Sequence, residues 1–291
     1  MKLGKLGAWA GLDTMTAPQA AAFAKRVESW GYDALWLPEG MGRNALIISG
    51  WVLANTTRLH VATGIANIYA RDPMAMVSAQ MALAEQSNNR FLLGMGVSHV
   101  PLVEGVRGHS YRSPVATMRD YLLTMSKAAY VAPPPSQIPL KVLAALGPKM
   151  LELAAELADG AHPYNVTPEH TAKARQSLGK GKLLLVEQKI ILETDASKAR
   201  AAARKNLEVY LPLTNYQNNW RRMGFDEKDW SGNGSDRLMD AMFAWGDETA
   251  IRKRLQEHWD AGADQVCIQA ANSDGSPLPD EKALKLLAPT G

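Results

Sequence analysis

The chain has 291 residues, 46% of them hydrophobic and 21% charged, which is enough apolar material for one large core or two ordinary ones. Its formal charge of +3 comes without the clustered Lys/Arg stripe of nucleic-acid binders, so no nucleic-acid partner is expected. The single cysteine, Cys267, excludes an internal disulfide and a cysteine zinc site. With no long apolar segment and no leader pattern, we expect a cytoplasmic protein that does not enter membranes.

Short apolar strands alternate with helices through the first third of the chain. Thr16 and Gln19 form a capping box that starts the first helix, and Gly31 ends it. Buried parallel strands are almost entirely apolar, as the predicted strands are here. The predicted elements up to residue 97 are strand 5–10, helix 16–30, strand 34–37, helix 47–55, strand 58–63, helix 74–87 and strand 91–97.

The third strand ends in small residues. Leu59, Val61 and Thr63 alternate with His60 and Ala62, and the strand then runs into the segment 64–67, Gly-Ile-Ala-Asn. A backbone with little side-chain bulk can approach a flat ligand closely. The segment is therefore a candidate binding surface.

The same alternation continues to the end of the chain. The later elements are a loop 98–112, helix 113–130, strand 141–145, helix 148–158, strand 160–163, helix 168–178, strand 183–192, helix 196–211, an excursion with short helices, helix 248–261, strand 265–269 and helix 281–287. Eight strands in this order predict an α/β fold, a (β/α)8 TIM barrel forming one domain over residues 1–291. Its insertions follow strands four and seven, at about 98–112 and 214–236. No G-x-G-x-x-G opens a helix after the first strand, which disfavours an open Rossmann sheet.

Functional groups of such barrels lie where strands end and loops begin. This rule selects Glu39 after the second strand and His99 after the fourth. Glu39 is either an acid–base group or a loop carboxylate paired with Arg43. His99 is either a proton shuttle or a structural histidine.

Gly147-Pro148-Lys149 opens a helix directly after a strand. The free N–H groups and the dipole of a helix start attract anions, and Lys149 adds a positive charge. The alternative interpretation is an ordinary turn with a first-turn proline. No H-E-x-x-H pattern supports a metal site, and no G-x-S-x-G pattern supports a hydrolase.

Five segments, in order, resemble the bacterial-luciferase-like family, and specifically its branch of oxidoreductases that use coenzyme F420. The resemblance covers nearly the whole chain. The segments are 31–39 (GYDALWLPE), 58–65 (RLHVATGI), 90–97 (RFLLGMGV), 143–150 (LAALGPKM) with 158–160 (ADG), and 245–264, which begins WGD and ends AGAD.

The resemblance implies a TIM barrel that forms a homodimer and holds a tricyclic ring across the barrel mouth. It also implies a cis peptide bond between Gly64 and Ile65, which backs the ring. Glu39 matches an acidic residue of the family, whereas Gly40 replaces its usual histidine, and His99 is expected to handle protons instead. The other expected cofactor contacts are Asn67 at the ring edge, Gly147 and Lys149 at the phosphate, and Ala145 and Pro148 beside them. Trp9 and His162, which the strand-end rule selects, are expected in the substrate pocket.

The implied function is hydride transfer between coenzyme F420 and a small organic substrate, namely a carbonyl, an alcohol or an enone. One alternative is an FMN-dependent monooxygenase of the same fold. Another is a flavin-binding member without catalysis, because the family's histidine is missing. Both insertions are expected to shape the substrate pocket.

Overall fold

Ten strands and twelve α-helices alternate along the computed structural model, which describes residues 1–289. The strands are β1 (Leu6–Trp9), β2 (Ala34–Leu37), β3 (His60–Thr63), β4 (Ala66–Asn67), β5 (Phe91–Gly96), β6 (Lys141–Leu143), β7 (Gly160–Ala161), β8 (Leu183–Ile191), β9 (Phe243–Trp245) and β10 (Gln265–Ala270). The helices are α1 (Ala17–Ser29), α2 (Ala45–Ala54), α3 (Pro73–Gln86), α4 (Pro114–Met125), α5 (Pro148–Leu157), α6 (Pro168–Leu178), α7 (Ala196–Leu207), α8 (Thr214–Arg222), α9 (Glu227–Trp230), α10 (Asp236–Met242), α11 (Glu248–Asp260) and α12 (Glu281–Leu286).

The parallel strands close into an eight-stranded barrel in the order β1, β2, β3, β5, β6, β7, β8, β10. The last strand closes the barrel by pairing with both β8 and β1, with Val266 opposite Val186 on one side and Leu6 on the other. Helices lie between consecutive strands. The predicted TIM barrel is therefore confirmed.

Side-chain alternation divides the apolar residues into two layers. In β2, Ala34 and Trp36 join a cluster inside the barrel, whereas Leu35 and Leu37 join the larger cluster between the barrel and its helices. Successive strand residues point to opposite faces, so a strand apolar at every position fills both layers.

A bulge interrupts the third barrel strand. Both β3 and β4 pair with β5, and between them the Gly64–Ile65 peptide bond is cis. The predicted cis bond is thus confirmed. At the bulge, Thr63 Oγ1 donates to the Gly94 carbonyl over 2.7 Å and accepts from the Gly94 amide over 2.9 Å. A Cβ on residue 94 would lie 2.0 Å from the Thr63 carbonyl oxygen, so only glycine fits there.

The first insertion contains more structure than the loop that the sequence predicts, whereas the short helices predicted in the second are present. A π-helical turn, Pro101–Val106, lies within the first insertion, and α8, α9 and α10 lie in and just beyond the second. The strand β9 was not predicted. It is three residues long, too short for an alternation pattern, and it forms by pairing with residues 189–191 of β8.

Two predicted helices are shorter than expected. The fourth ends at Met125 rather than residue 130, because residues 126–130 have no buried side chain to stabilise another turn. The helix predicted over 196–211 ends at Leu207, and a turn follows. Within the described residues, none of the helices has the length and apolar character needed to cross a membrane.

Gly94→Ala should destabilise the protein by about 1–3 kcal/mol, because the new methyl group would force β5 away from the bulge. Urea unfolding monitored by circular dichroism would measure the change in the free energy of unfolding. The matched control is Gly105→Ala, where a Cβ meets no atom within 4 Å. Equal stability of the two variants would contradict this account of the bulge.

Candidate active site

A cavity of about 920 Å³ lies at the carboxyl ends of the barrel strands. It is lined by strand ends from β1 round to β7 and by both insertions. The predicted site residues that line it are Trp9, Glu39, Gly64, Ile65, His99, Ala145, Gly147, Pro148, Lys149 and His162. The fold therefore brings together residues that are far apart in sequence, as the strand-end rule predicts.

One wall of the cavity is flat. Ile65 of the bulge lies against Gly96, where a Cβ would come within 2.8 Å of the Ile65 side chain and 3.1 Å of the Ala144 Cβ. Gly64, Ile65, Gly96, Ala144 and Ala145 all line the cavity. Small side chains around one isoleucine leave a surface against which a planar ring can lie.

Glu39 holds the bulge in place rather than facing the cavity with free oxygens. Its carboxylate forms an ion pair with Arg71, and the two side chains are 4% and 8% exposed. It also accepts the Asn67 amide over 2.8 Å and the Ala45 amide over 3.3 Å. The alternative pairing with Arg43 is wrong, because that guanidinium donates to the carbonyls of residues 12 and 15. A role for Glu39 as acid or base is not supported by this geometry.

Asn67 does not reach the cavity. Its side chain is fully buried, and Oδ1 accepts the Tyr69 amide over 2.9 Å, which caps a short 3₁₀ turn at residues 68–70. The predicted contact between Asn67 and a ring edge is therefore not supported, because the side chain supports the backbone behind the bulge instead.

His99 lines the cavity and is held by the second insertion. Its Nδ1 donates to Asn215 Oδ1 over 3.1 Å, and its ring lies 5.5 Å from that of Tyr216. Burial lowers the pKa of His99, although the bond to Asn215 acts in the opposite direction. The imidazole is thus neutral near pH 7, and Nε2 carries a lone pair that accepts no hydrogen bond within the described residues. Such a group can take up a proton.

Trp9 and His162 place two polar atoms beside Gly64. Trp9 Nε1 and His162 Nε2 are buried and have no hydrogen-bond partner among the described residues. A Cβ on Gly64 would lie 2.7 Å and 3.1 Å from these two atoms. His162 Nδ1 donates to the Leu185 carbonyl over 2.7 Å, so Nε2 is an acceptor. The pair offers one donor and one acceptor to a bound molecule.

The far end of the cavity suits an anion. The helix α5 starts at Pro148 after Gly147, which provides no side-chain cap for the first-turn amides. Lys149 lies in this first turn, and Arg222 of α8 reaches the same place, with Nη2 3.2 Å from the Cβ position of Gly147. A helix start with two cations beside it is a typical site for a phosphate group.

Sequence reasoning missed a polar cluster beneath the cavity. Lys189 and Glu187 of β8 are fully buried and form an ion pair of 3.1 Å, and Tyr164 and Tyr210 lie above them. Two charged residues spaced two apart in a strand whose only other polar residue is Gln188 were a readable signal, because this spacing directs both into the barrel. Ser98, His99, Asn215 and Tyr216 of the two insertions line the cavity, and their predicted role in a substrate pocket stays a prediction.

No group of three or more His, Cys, Asp or Glu side chains in the part of the chain that the structure describes could hold a metal ion. Cys267 is buried inside the barrel, and burial raises the pKa of its thiol. It contributes packing to the interior cluster.

The buried histidines should make stability fall with acid. Burial lowers the pKa of His162 to about 4 and that of His258 to about 3, against about 6.5 in the unfolded chain. Below about pH 6.5 the unfolded chain binds protons that the native state does not. The free energy of unfolding should therefore drop, by up to about 1.4 kcal/mol per pH unit for each histidine.

Urea unfolding between pH 7.5 and 4.5 would test this. In His162→Phe, which keeps a ring stacked on Trp36, the acid slope should be shallower whatever the absolute stability. An unchanged slope would show that His162 takes up its proton in the folded state.

Comparison with known proteins agrees with this geometry. A Mycobacterium tuberculosis protein, provisionally named a coenzyme F420-dependent oxidoreductase, is 25% identical, and the alignment covers 94% of this chain and 96% of that protein. A solved F420-dependent secondary alcohol dehydrogenase, in complex with an F420–acetone adduct, superposes with a TM-score of 0.76 at 15% identity, covering 99% of this chain and 97% of the other.

The oxygenating constituent of 3,6-diketocamphane monooxygenase from Pseudomonas putida, in complex with FMN, superposes with a TM-score of 0.70 at 13% identity, covering 99% of this chain and 97% of the other. At these identities the two structures show a shared fold. The family model of the luciferase-like monooxygenases matches residues 2–265. Since that match spans most of its length, this chain belongs to the luciferase-like monooxygenase family.

Proposed function

We propose that this protein is an F420-dependent oxidoreductase that transfers a hydride between the deazaflavin and a small organic substrate. The observation that carries the proposal is one cavity with three parts: a flat wall at the cis bulge, an anion-binding helix start, and a neutral histidine with a free ring nitrogen. A planar redox cofactor with a phosphate-bearing tail would fit the flat wall and the helix start. The histidine could accept a proton from the substrate.

The residues present fit such a cofactor. Its ring would lie against Ile65. Polar atoms of the ring would form hydrogen bonds with Trp9 Nε1 and His162 Nε2, which have no other partner among the described residues. Its phosphate would lie at the start of α5, between Lys149 and Arg222. The guanidinium of Arg222 has no acidic partner among the described residues, so it is free to bind an anion.

When bound, the deazaflavin supplies the hydride donor or acceptor. The protein's own part is to orient the reactants and to move the substrate proton. His99 Nε2 takes the proton that a substrate hydroxyl releases during oxidation, and returns it to the oxygen in reduction. Asn215 fixes the histidine ring so that Nε2, rather than Nδ1, is the reacting nitrogen.

Gly40 stands where the family resemblance implies a histidine, and a Cβ there would meet no atom within 4 Å. His99 thus replaces that group from another strand end. The names of the mycobacterial relative and of the alcohol dehydrogenase support F420. An FMN-dependent monooxygenase stays the alternative, supported by the FMN complex of the same fold and by a phosphate site that suits either cofactor. The homodimer that the resemblance implies stays a prediction.

The cofactor is tested by titrating the purified protein with oxidised F420 and, separately, with FMN, following tryptophan fluorescence. We expect tighter binding of F420. Arg222→Gln should weaken it about tenfold or more, because a hydrogen bond to a charged group is lost. Arg221→Gln, in the same helix but outside the cavity lining, is the matched control. Preference for FMN would move the assignment to the monooxygenase, and failure to bind either cofactor would contradict both.

The proton-handling role is tested by His99→Ala. Turnover with F420 should fall about 10²- to 10⁴-fold, the usual contribution of general acid–base catalysis, while the dissociation constant of the cofactor stays within a factor of two. His109→Ala, in the same insertion but exposed, should keep wild-type turnover. Full activity of the His99 variant would remove that residue from the mechanism and assign the substrate proton to a different base.

A further inference from the structure

Four side chains beneath the cavity form a continuous hydrogen-bonded chain. Lys189 Nζ lies 2.8 Å from Gln269 Oε1, and Tyr164 Oη lies 2.9 Å from the same oxygen. Tyr164 Oη also lies 2.9 Å from Tyr210 Oη. Both tyrosines line the cavity, whereas Lys189 is fully buried.

The lysine fixes the orientation of the Gln269 amide. An ammonium group has donors only, so the atom 2.8 Å from it must be the amide oxygen, because the amide nitrogen would place donor against donor. Glu187 occupies a second N–H of the ammonium at 3.1 Å, and the face of the Tyr164 ring lies 3.8 Å from Nζ. Burial lowers the pKa of Lys189 to about 8. This value is still above 7, so the amine is mainly protonated at neutral pH.

The orientation of Gln269 then sets the direction of each hydroxyl. The amide oxygen can only accept, so the single proton of Tyr164 is donated to it. Tyr164 has no second proton for Tyr210, and the 2.9 Å contact between the hydroxyls requires Tyr210 to donate. Both phenolic protons are thereby used. The oxygen of Tyr210 presents only lone pairs to the cavity.

We propose that Tyr210 accepts a hydrogen bond from a ligand O–H, and that this makes the substrate pocket selective for an alcohol over the matching ketone. A carbonyl oxygen placed at the same point would face the lone pairs of Tyr210 and receive no hydrogen bond from that hydroxyl. The identification of this ligand as the substrate rests on the proposed oxidoreductase function, whereas the binding preference itself does not.

The position agrees with the proton-handling histidine. The Tyr216 ring lies 5.3 Å from that of Tyr210 and 5.5 Å from that of His99, so a ligand crossing Tyr216 can reach both. A hydroxyl has a single proton, so the ligand O–H donates it to Tyr210 in the resting complex and turns it towards His99 Nε2 when the proton is transferred. Gln269 and Lys189 do not line the cavity and act as positioning residues, and Tyr164 positions the Tyr210 hydroxyl by accepting its hydrogen bond.

The test uses cyclohexanol and cyclohexanone as matched probes, with dissociation constants measured by ligand-observed NMR on the full protein without cofactor. The wild type should prefer cyclohexanol about 2- to 10-fold, the range of one neutral hydrogen bond. Tyr210→Phe should bring the ratio of the two constants close to one. Tyr130→Phe, outside the cavity, should keep the wild-type ratio.

A second variant separates this mechanism from a packing effect. Tyr164→Phe removes the group to which Tyr210 donates, so the Tyr210 proton becomes free for the ligand and the preference should move towards cyclohexanone. A loss of packing alone would weaken both probes together. The inference is overturned if the wild type shows no preference, prefers cyclohexanone or binds neither probe. It is also overturned if Tyr210→Phe and Tyr164→Phe change the ratio of the two dissociation constants in the same way.

The outcome is independent of the cofactor assignment. If the protein binds no F420 but keeps the alcohol preference, the proposed function fails and this inference stands. If F420 binds and is reduced while the probe ratio stays near one in every variant, the proposed function stands and this inference fails.

Discussion

The close approach of the third barrel strand to β5 is the constraint on which the site depends. The absence of a side chain at Gly94 lets the Thr63 carbonyl come near, and the bulge that follows places Ile65 at the cavity. Glu39 then secures the bulge from the neighbouring strand by binding the Asn67 amide and Arg71. A buried ion pair is costly to break, so this arrangement holds the flat wall rigid. The wall is built from backbone geometry rather than from any reactive group.

The positively charged groups and the proton-accepting groups lie in different parts of the cavity. Fixed positive charge lies at one end, on Lys149 and Arg222, and the lysine beneath the cavity is matched by Glu187. The two histidines that face the remaining space are neutral, because burial keeps His99 and His162 unprotonated. A ligand therefore meets its anionic part and its proton-releasing part at different places, which fixes one orientation in the cavity.

The barrel could be predicted from sequence because its strands are continuous apolar runs whose lengths and spacing follow from burial on both faces. The position of the site followed from strand order alone. The ion-pair partner of Glu39 could not be predicted. From the sequence, Arg43 and Arg71 are equally plausible partners, and only the turn after the bulge brings Arg71 close to the carboxylate. The cavity residues Tyr210 and Tyr216 were missed because they lie in a segment without strand periodicity. Lys189 could have been found from its spacing to Glu187.

One short helix touches both ends of the cavity. Asn215, near the start of α8, holds His99, and Arg222, at its end, lies beside Gly147 at the start of α5, about 10 Å along the helix. A displacement of this helix would move Arg222 and also change the orientation of the His99 ring. It would therefore affect ligand binding at both ends of the cavity. Affinities at the two ends are then thermodynamically linked, each ligand changing the other's binding by the same factor. An exchange of this single segment between relatives would transfer both properties as a unit, while the barrel beneath stays unchanged.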